Sequence, residues 1–207
     1  DFTAANDAAK PAEYLSALDE TPIGTASEDF TVLDTSLFIA DAMRKAAGSE
    51  IALILNGSFY TGNLARIFKG DICLPNRFTL KSVGSKDYLT TYEITGANLK
   101  KLMEHPVIKG GEVNALYACS GLKVKYAPWA SADANVQSLT LADGTAIDDT
   151  ASYTVAAWAG TIDGSYISSK IQEFPDAGMN RDLVTAAIEE AGTISPAHDG
   201  RVTLVWN

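Results

Sequence analysis

The stretch TSLFIADAMRKAAGSEIALILNG, residues 35 to 57, predicts the fold because its hydrophobic period changes partway along. Its first half carries an apolar residue at every third or fourth position, namely Leu37, Ala40, Met43 and Ala46–Ala47. This spacing puts apolar side chains on one face of a helix. Thr35 or Ser36 can cap the start of that helix, and Gly48 can end it.

The second half of the stretch, Ile51–Leu55, is continuously apolar and predicts a buried strand. We expect a helix over residues 35–47 to pack on this strand with Ala40 and Met43 facing inward. Asn56 and the glycine after it end the strand, since both residue types tolerate the left-handed backbone of tight turns. The loop that follows is either a plain turn or the rim of a ligand site, because open sheets hold binding loops at such places.

The rest of the chain predicts short strands mixed with two more helices. Strands are expected at residues 88–94, 115–119, 122–127, 136–141, 153–158 and 201–206, and helices at 96–105 and 181–191. Leu99, Leu102 and Met103 should face inward from the first of these helices, which Pro106 should stop. Because the elements do not alternate as βαβ units, the predicted class is α+β, with a mixed β-sheet and packed helices. Residues 1–14 are interpreted as a linker or interdomain tail and 15–207 as one domain.

Composition narrows the possible partners. The chain has 207 residues, 46% of them hydrophobic, and a net charge of −10. This length supports one sizeable core. The negative charge argues against nucleic acid or an anionic membrane surface as a partner. No apolar run approaches the roughly 18 residues of a membrane helix, so no membrane span is expected.

The sequence lacks the motifs of an autonomous enzyme. It has no nucleophile-elbow, P-loop or HExxH pattern. The two histidines, His105 and His198, are far apart and each has one acidic neighbour, so no metal site is expected in this chain. His105 at a helix end is interpreted as a partner of the helix dipole, and His198 as a surface turn residue. Ser120 has no nearby sequence signal for a catalytic base.

The sequence does not determine whether the two cysteines form a disulfide. Cys73 and Cys119 lack the short spacing of zinc ligands. A single disulfide or two buried thiols are both compatible with the sequence, which favours the thiols.

Five stretches resemble, in order, the C-terminal domain of the 5'-nucleotidases. They are IADAMRKAAGSEIALILNG (39–57), YEITGANLKKLME (92–104), SGLKVKYAP (120–128), LADGTAIDDTASYTVA (141–156) and RDLVTAAIEEAGTISPAHDGRV (181–202). Each stretch is weak alone, and the second and third form the most specific pair. The resemblance covers about residues 18–205, and it implies the fold of that domain.

The resemblance also implies a division of labour. In 5'-nucleotidases an N-terminal metallophosphatase domain holds two metal ions and hydrolyses phosphate esters, while the C-terminal domain grips the nucleotide and swings to deliver it. The implied partner is therefore a metallophosphatase domain, covalently upstream or separate, and the implied ligand is a nucleoside or nucleotide-like small molecule. Divalent metals are expected only in that other domain, with no cofactor in this chain. The implied location is extracellular, at the cell surface or periplasmic.

The loop after the first strand departs from the family pattern NGGGIR. Asn56 persists, but the family glycines become Ser58 and Phe59, and the arginine position falls on Thr61. The glycines let the family backbone approach the substrate and the arginine pairs with its phosphate. Phe59 and its neighbour Tyr60 either fill the pocket or line it.

A second family arginine is replaced as well. The matching position lies near Thr31, which is not basic. Phosphate recognition favours a guanidinium fork, so losing both arginines predicts an altered ligand. Arg66 reaches the same space only if the loop is re-spaced, and Lys86 is another cation that could take over.

The positions that stack on the nucleotide base are altered too. The family's Pro-Phe-Gly-Asn corresponds to Gly84–Asp87, so the stacking phenylalanine is replaced by Ser85. A later family loop is shortened to WAGTIDGSY, which keeps Asp163 and offers Trp158 and Tyr166 as aromatic faces. Both aromatics are equally compatible with core or rim packing.

The candidate site is therefore a degenerate pocket without catalytic residues. We expect its residues to gather around one concave rim: Asn56, Phe59, Tyr60, Thr61, Arg66, Ser85, Asp87, Trp158, Asp163 and Tyr166. Two function classes follow. The chain is either the substrate-recognition domain of a 5'-nucleotidase-like phosphoesterase, inactive in isolation, or a non-catalytic cell-surface binding or structural module derived from that domain.

Overall fold

The computed structural model describes residues 21–56, 67–73, 88–105, 107–108, 111–112, 116–127, 134–174 and 180–205. Its elements follow in the order β1 (Pro22–Ala26), α1 (Val32–Ala47), β2 (Ile51–Asn56), β3 (Gly70–Cys73), β4 (Leu89–Thr95), α2 (Gly96–Glu104), β5 (Val107–Ile108), β6 (Gly111–Glu112), β7 (Leu116–Ser120), β8 (Leu122–Tyr126), β9 (Val136–Leu141), β10 (Ser152–Trp158), a 3₁₀ helix (Gly164–Tyr166), β11 (Ser169–Phe174), α3 (Asn180–Ala191), β12 (Thr193–Ile194) and β13 (Val202–Leu204). The predicted tail, residues 1–14, and the predicted stop at Pro106 lie outside the described residues.

Helix α1 begins one turn earlier than the sequence pattern predicts. Its N-cap is Thr31, whose hydroxyl accepts the backbone N–H of Asp34 at 3.1 Å while the Asp34 carboxylate accepts the N–H of Thr31 at 2.9 Å. This reciprocal capping box leaves Thr35 and Ser36 buried inside the helix. The prediction that one of them caps the helix was therefore wrong. Gly48 ends the helix as expected, in a left-handed conformation with φ of 61°.

The central sheet has five strands in the order β11-β4-β10-β2-β7. β10 runs parallel to β2, while β4 is antiparallel to both β10 and β11, and β7 is antiparallel to β2. Mixed strand directions in one sheet, together with three packed helices, confirm the predicted α+β class.

The two faces of the central sheet bury separate hydrophobic clusters. On the first face, α1 and α3 cover alternate residues of β2 and β10, including Ala52, Ile54, Ala156 and Trp158. On the second face, α2 covers the residues between them, including Ile51, Leu53, Leu55, Val155 and Ala157. Because both faces of β2 are buried, its sequence is a continuous apolar run. The residues that were predicted to face inward are buried, namely Ala40, Met43, Leu99, Leu102 and Met103.

Smaller sheets flank the central one. β1 pairs with β12 and β3, and β8 pairs with β13 and β9, whereas β5 and β6 form a two-stranded hairpin. β8 alternates buried and exposed residues, so this strand presents only one face to the core. None of the helices among the described residues is long and apolar enough to cross a membrane.

Several strands carry no sequence signal that predicts them. β11 is an edge strand whose side chains are almost all exposed, so it lacks the apolar period of a core strand. β3 and β12 are four and two residues long, and they form by pairing with β1 rather than through a pattern of their own. Tertiary pairing therefore determines these strands.

The cysteines lie in different sheets, Cys73 in β3 and Cys119 in β7. Both are thiols in this structure rather than a disulfide. Cys119 is fully buried, whereas Cys73 is partly exposed. The expectation of two buried thiols is thus correct for Cys119 only.

Candidate functional site

One end of the central sheet brings together the segments that were predicted to carry the site. Asn56 at the end of β2 pairs with Leu116, and Trp158 at the end of β10 pairs with Leu89. β2 and β10 run parallel, so their carboxyl ends point the same way. We call this edge, defined by these four residues, the loop end of the sheet. The segments after Asn56, before β4 and after β10 all leave the sheet here.

Six of the candidate residues belong to the first two of these segments and lie outside the described residues: Phe59, Tyr60, Thr61, Arg66, Ser85 and Asp87. Asn56 is the last residue of β2, and its backbone continues the ladder with β7. The backbone of Asn56 therefore lies at the loop end, where the sequence predicted a rim.

Trp158 lies in the core at the loop end. Its side chain is only 1% exposed and packs in the cluster beneath α1. Its carbonyl accepts two hydrogen bonds from Thr161, from the backbone N–H at 3.1 Å and from the hydroxyl at 2.6 Å. Its indole Nε1 has no acceptor among the described residues. In this conformation the Trp158 ring packs in the core and is closed to solvent, while its carbonyl holds the turn at the end of β10.

Asp163 caps the 3₁₀ helix that follows this turn. Its Oδ1 accepts the backbone N–H of Ser165 at 2.8 Å, which is the bond of an N-cap residue. Hydrogen bonding from the side chain and backbone of Ser165 holds the pKa of Asp163 below its ordinary value. The carboxylate is thus ionised at neutral pH and adds negative charge to the loop end.

Tyr166 lies on the other side of the sheet from Trp158. It is half-buried and packs against the cluster that α2 covers, and its carbonyl accepts a hydrogen bond from Asn98 Nδ2 at 3.1 Å. The two aromatics therefore contact different hydrophobic clusters. In this conformation they do not present a shared stacking face.

Two tyrosines that the sequence analysis did not select also lie at the loop end. Tyr88, just before β4, is 44% exposed and accepts the backbone N–H of Ala159 through its carbonyl at 3.0 Å. Tyr117 is fully buried in β7, and its hydroxyl donates to the carbonyl of Thr161 at 2.8 Å. Tyr88 offers an accessible ring, and Tyr117 anchors the turn after β10 from inside the domain. The sequence signal for both was the strand pattern alone, which does not distinguish them from ordinary strand residues.

The N-terminus of α1 adds an acidic residue rather than a basic one. Thr31, the position near the lost family arginine, is the N-cap, and its hydroxyl also donates to Asp34 Oδ2 at 2.6 Å. Since α1 joins the start of β2 through three residues and packs along β2, its N-terminus points back towards the loop end. The carboxylate of Asp34 already accepts a backbone N–H at this helix N-terminus, where an anionic ligand would otherwise bind.

The two histidines lie at the end of α2 and in the segment before β13. His105 is the C-cap of α2, where its backbone N–H donates to the carbonyl of Lys101 at 2.9 Å. His198 is exposed in a turn with φ of 47°, and its Nε2 is 3.4 Å from Glu28 Oε2. Among the described residues, no three His, Cys, Asp or Glu side chains group in a way that could hold a metal ion.

The described part of the loop end combines an exposed aromatic ring with hydrogen-bonded turns. The polar groups of Thr161 and Asp163 bond within the β10–β11 loop, Tyr117 and Asn98 bond to the loop from outside it, and an exposed tyrosine, Tyr88, lies beside it. No described residue pairs a nucleophile with a base there. The arrangement can position a small molecule against an aromatic ring and carboxylate or backbone groups.

Comparison with known proteins identifies the family. A family model described as "5'-nucleotidase, C-terminal domain" matches residues 22–166. The chain therefore belongs to the family of 5'-nucleotidase C-terminal domains. No curated protein matches the sequence significantly.

Solved structures share the fold at low sequence identity. A 5'-nucleotidase precursor of Thermus thermophilus is 17% identical with a TM-score of 0.68, and the match covers 96% of this chain and 42% of that one. The NAD nucleotidase of Haemophilus influenzae is 15% identical with a TM-score of 0.67, over 99% of this chain and 42% of that one. The sulfate thiohydrolase SoxB, also of Thermus thermophilus, is 14% identical with a TM-score of 0.65, over 96% and 38%. The chain thus spans about two fifths of the length of these proteins, and the likeness establishes the fold alone.

Proposed function

We propose that this chain is the substrate-recognition domain of a 5'-nucleotidase-like phosphoesterase and that its ligand site is the loop end of the central sheet. The observation that carries the proposal is the meeting of three segments at that end, because β2 and β10 end there at Asn56 and Trp158 and β4 begins there at Leu89. Hydrolysis would take place in a metallophosphatase domain, covalently attached upstream or separate. The divalent metals would be bound in that domain, and this chain would need no cofactor.

The family and the relative lengths support this division of labour. The family model describes a C-terminal domain, and the solved relatives are more than twice as long as the segment that matches this chain. A chain of this kind is expected to be inactive alone. Purified chain incubated with nucleotide monophosphates and manganese or zinc should show no turnover above a blank. Turnover that a chelator abolishes would contradict the proposal.

We further propose that the site selects a neutral nucleoside-like group over a nucleotide. The N-terminus of α1 and the β10–β11 loop carry the carboxylates of Asp34 and Asp163, and both family arginine positions carry non-basic residues, Thr31 and Thr61. A phosphate would therefore lack its guanidinium partners. Losing two charge-assisted hydrogen bonds of roughly 1.5–3 kcal/mol each would weaken phosphate binding on the order of a hundredfold or more.

Calorimetry on the 207-residue chain tests this selectivity. Adenosine should bind at least as tightly as its monophosphate. Replacing the exposed ring in Tyr88→Ser should weaken adenosine binding about tenfold, since stacking on an aromatic side chain is worth roughly 1–3 kcal/mol. Ile171→Ser is the matched control because Ile171 is also an exposed apolar residue but lies on the edge strand β11. Micromolar binding that depends on the phosphate would show that a cation such as Arg66 or Lys86 has replaced the family arginines.

The second candidate is a non-catalytic binding or structural module with the same fold. The buried position of Trp158 favours it, since the aromatic residue at the end of β10 packs in the core instead of facing a ligand. The use of Asp163 as a cap is equally compatible with a structural role. Failure of both adenosine and its monophosphate to bind, together with no metallophosphatase domain in the same gene, would favour this candidate.

The proposed location is outside the cytoplasm, at the cell surface, in the periplasm or in the medium. The support for it is the family resemblance. Fractionation of cells with an antibody against the chain tests it, and recovery in the cytoplasmic fraction alone would reject it.

A further inference from the structure

The opposite end of the central sheet carries a separate polar cavity of about 310 Å³. It opens where β7 ends, next to the last turn of α1 and the start of β13. Its charged and polar lining residues come from three separate parts of the chain: Asp41, Arg44, Ser120, Lys123, Asp199 and Arg201. We call this edge the ionic end of the sheet. It is separated from the loop end by the length of β2, which is roughly 15–20 Å for a strand of this size.

Arg201 organises the negative charges of the cavity. Its Nη2 donates to Asp41 Oδ2 at 2.9 Å, its Nη1 donates to the other oxygen of Asp41, and its Nε donates to Asp199 Oδ2 at 2.7 Å. Burial alone would lower the pKa of Arg201, but the hydrogen bonds and charges of Asp41 and Asp199 outweigh it and raise that pKa. A guanidinium has five N–H donors, so two of them remain uncommitted by these bonds.

Two further cations line the cavity without a hydrogen-bond or ion-pair partner among the described residues. These are Arg44 and Lys123. The Arg44 side chain lies close to the backbone of Gly121, since a Cβ built on that glycine would be 3.3 Å from Arg44 Nε. This contrasts with the ion pairs formed by Lys45, Lys100 and Lys170 elsewhere on the surface. The cavity thus gathers three cations in a protein whose net charge is −10, and the carboxylate of Asp143 also interacts electrostatically with one of them, Lys123.

Ser120 adds a neutral hydroxyl to the cavity. The residue is only 2% exposed and lines the cavity, and its hydroxyl makes no hydrogen bond to any described residue. The hydroxyl oxygen is not among the buried atoms that lack a partner, so it is reached from the cavity. A ligand in the cavity can therefore form a hydrogen bond with it.

We propose that the ionic end binds inorganic phosphate. Arg44, Lys123 and the uncommitted donors of Arg201 would contact its oxygens, and Ser120 would supply a hydroxyl from the floor of the cavity. Cations outnumber carboxylates by three to two in the lining, which favours an anion. The site is distinct from the loop end, so this inference does not rest on the proposed function.

The two carboxylates would make the site selective for hydrogen phosphate over other oxyanions. Each oxygen of Asp41 and Asp199 keeps a lone pair after bonding to Arg201, so both residues can still accept a proton donor. Inorganic phosphate retains at least one O–H at about pH 7.5 and can donate it. Sulfate has no proton at that pH, and a phosphate monoester has almost none because its second pKa is about 6. The carboxylates would repel both of these ions.

Titration followed by amide NMR on the full chain tests the proposal at constant ionic strength and about pH 7.5. Phosphate should cause saturable shifts centred on Gly121 and Lys123, with a dissociation constant of about 1 mM or tighter. Sulfate and glycerol phosphate should each bind at least about tenfold more weakly. Shifts that do not saturate, or equal affinity for sulfate, would overturn the assignment.

Substitutions inside and outside the cavity distinguish specific phosphate binding from general attraction to surface charge. Arg44→Gln and Lys123→Gln should each weaken phosphate binding about tenfold, and Ser120→Ala about threefold, as expected for the loss of a charged or a neutral hydrogen bond. Lys125→Gln is the matched control, because Lys125 is exposed on the same strand but does not line the cavity. Its affinity should stay within about twofold of the parent. Equal losses in Lys125→Gln and Arg44→Gln would reject the site.

Discussion

The two ends of the central sheet are built from different interactions. At the loop end, strand register and internal hydrogen bonds fix the backbone: Thr161 bonds back to Trp158, and Asp163 caps the next turn. At the ionic end, charged side chains from distant segments meet, with Arg201 bound to Asp41 and Asp199. The described polar groups of the loop end bond mainly to each other, whereas the ionic end retains donors without partners.

This difference separates the effects of mutation at the two ends. Changes to Gly121 or Arg201 at the ionic end should act on stability strongly, because a Cβ on Gly121 would collide with the backbone of Glu50 and Arg201 binds two carboxylates. Changes at the loop end should act mainly on local order.

Gly121→Ala should destabilise the protein most. Gly121 has φ of 82°, and a Cβ at this position would lie 2.1 Å from the carbonyl oxygen of Glu50. The backbone strain of about 1–2 kcal/mol and the forced shift of about 1–3 kcal/mol together predict a loss of roughly 3–4 kcal/mol. The free energy of unfolding in urea measures it.

Gly144→Ala is the control for that substitution. Gly144 also has a positive φ, 94°, but a Cβ there meets no atom within 4 Å. It should therefore cost only the strain of about 1–2 kcal/mol. Equal losses in the two variants would mean that contact with Glu50 contributes nothing and that the ionic end is less tightly packed than the geometry indicates.

Arg201→Met should have the next largest effect. It leaves Asp41 and Asp199 without the guanidinium that binds both, while keeping the apolar stem of the side chain. Removing one partner of a buried ion pair costs roughly 3–5 kcal/mol, and the partial exposure of the two carboxylates reduces this to about 2–3 kcal/mol. Arg44→Met, which removes an exposed cation from the same cavity, should change the free energy of unfolding by less than about 0.5 kcal/mol. Similar losses of stability in both variants would show that the ion pairs of Arg201 contribute no more to the fold than an exposed cation does.

Alkaline pH should weaken the fold through Cys119, which lies on β7 near the ionic end. Burial raises the pKa of the Cys119 thiol to about 12, and the charge of Arg201 is too small a counter-effect to prevent this. In the unfolded chain the thiol ionises near its ordinary pKa of about 9, so the folded state binds more protons between about pH 9 and pH 12. Stability is therefore present below about pH 9 and lost as the pH rises, by roughly 1.4 kcal/mol per unit.

The slope with pH, measured by urea unfolding from about pH 8.5 to 10, isolates this effect. Cys119→Ala should lose less stability over that interval than the parent, because it has no thiol to ionise in the unfolded state. Any constant difference from the smaller side chain does not alter the slope. Parallel slopes for the two proteins would contradict the buried, protonated thiol.

The sequence predicts the parts of this molecule that depend on local pattern. The α1–β2 unit and the inward residues of α2 follow from hydrophobic period alone, and the structure confirms them. The start of α1 was missed because Thr31 and Asp34 form a capping box one turn before the apolar stripe begins. β11 was missed because an exposed edge strand has no apolar period to detect.

The loop end and the ionic end also differ in how far local sequence pattern predicts them. The loop end could be predicted as a place, since strands that end in Asn56 and Trp158 point to it, but burial of the Trp158 side chain depends on packing against α1. The ionic end could not be predicted, because Asp41, Ser120 and Arg201 are at least 79 residues apart in sequence and carry no shared motif. Long-range packing alone brings them together.

Tyr117→Phe should have the smallest effect on stability and the most local one. It removes the hydroxyl that donates to the Thr161 carbonyl while keeping the buried ring, so it should cost about 1 kcal/mol. The effect should concentrate in the β10–β11 loop, where the amides of Thr161 and Tyr166 should exchange hydrogen faster. Mass-spectrometric hydrogen exchange of the peptide that contains both residues measures this.

Tyr126→Phe is the matched variant that sharpens the comparison. Its hydroxyl lies 3.3 Å from the carbonyl of Tyr117 and 4.0 Å from Met103 Sδ, so its removal also deletes buried hydrogen bonding, but these contacts join β8 to β7 and α2 rather than reaching the loop. Both variants should lose similar stability, and only Tyr117→Phe should speed exchange in the loop. Faster loop exchange in both would mean that the loop end responds to the whole core. In that case the interior hydroxyl of Tyr117 would not be the anchor of the turn, and order at the loop end would depend on the sheet as a unit.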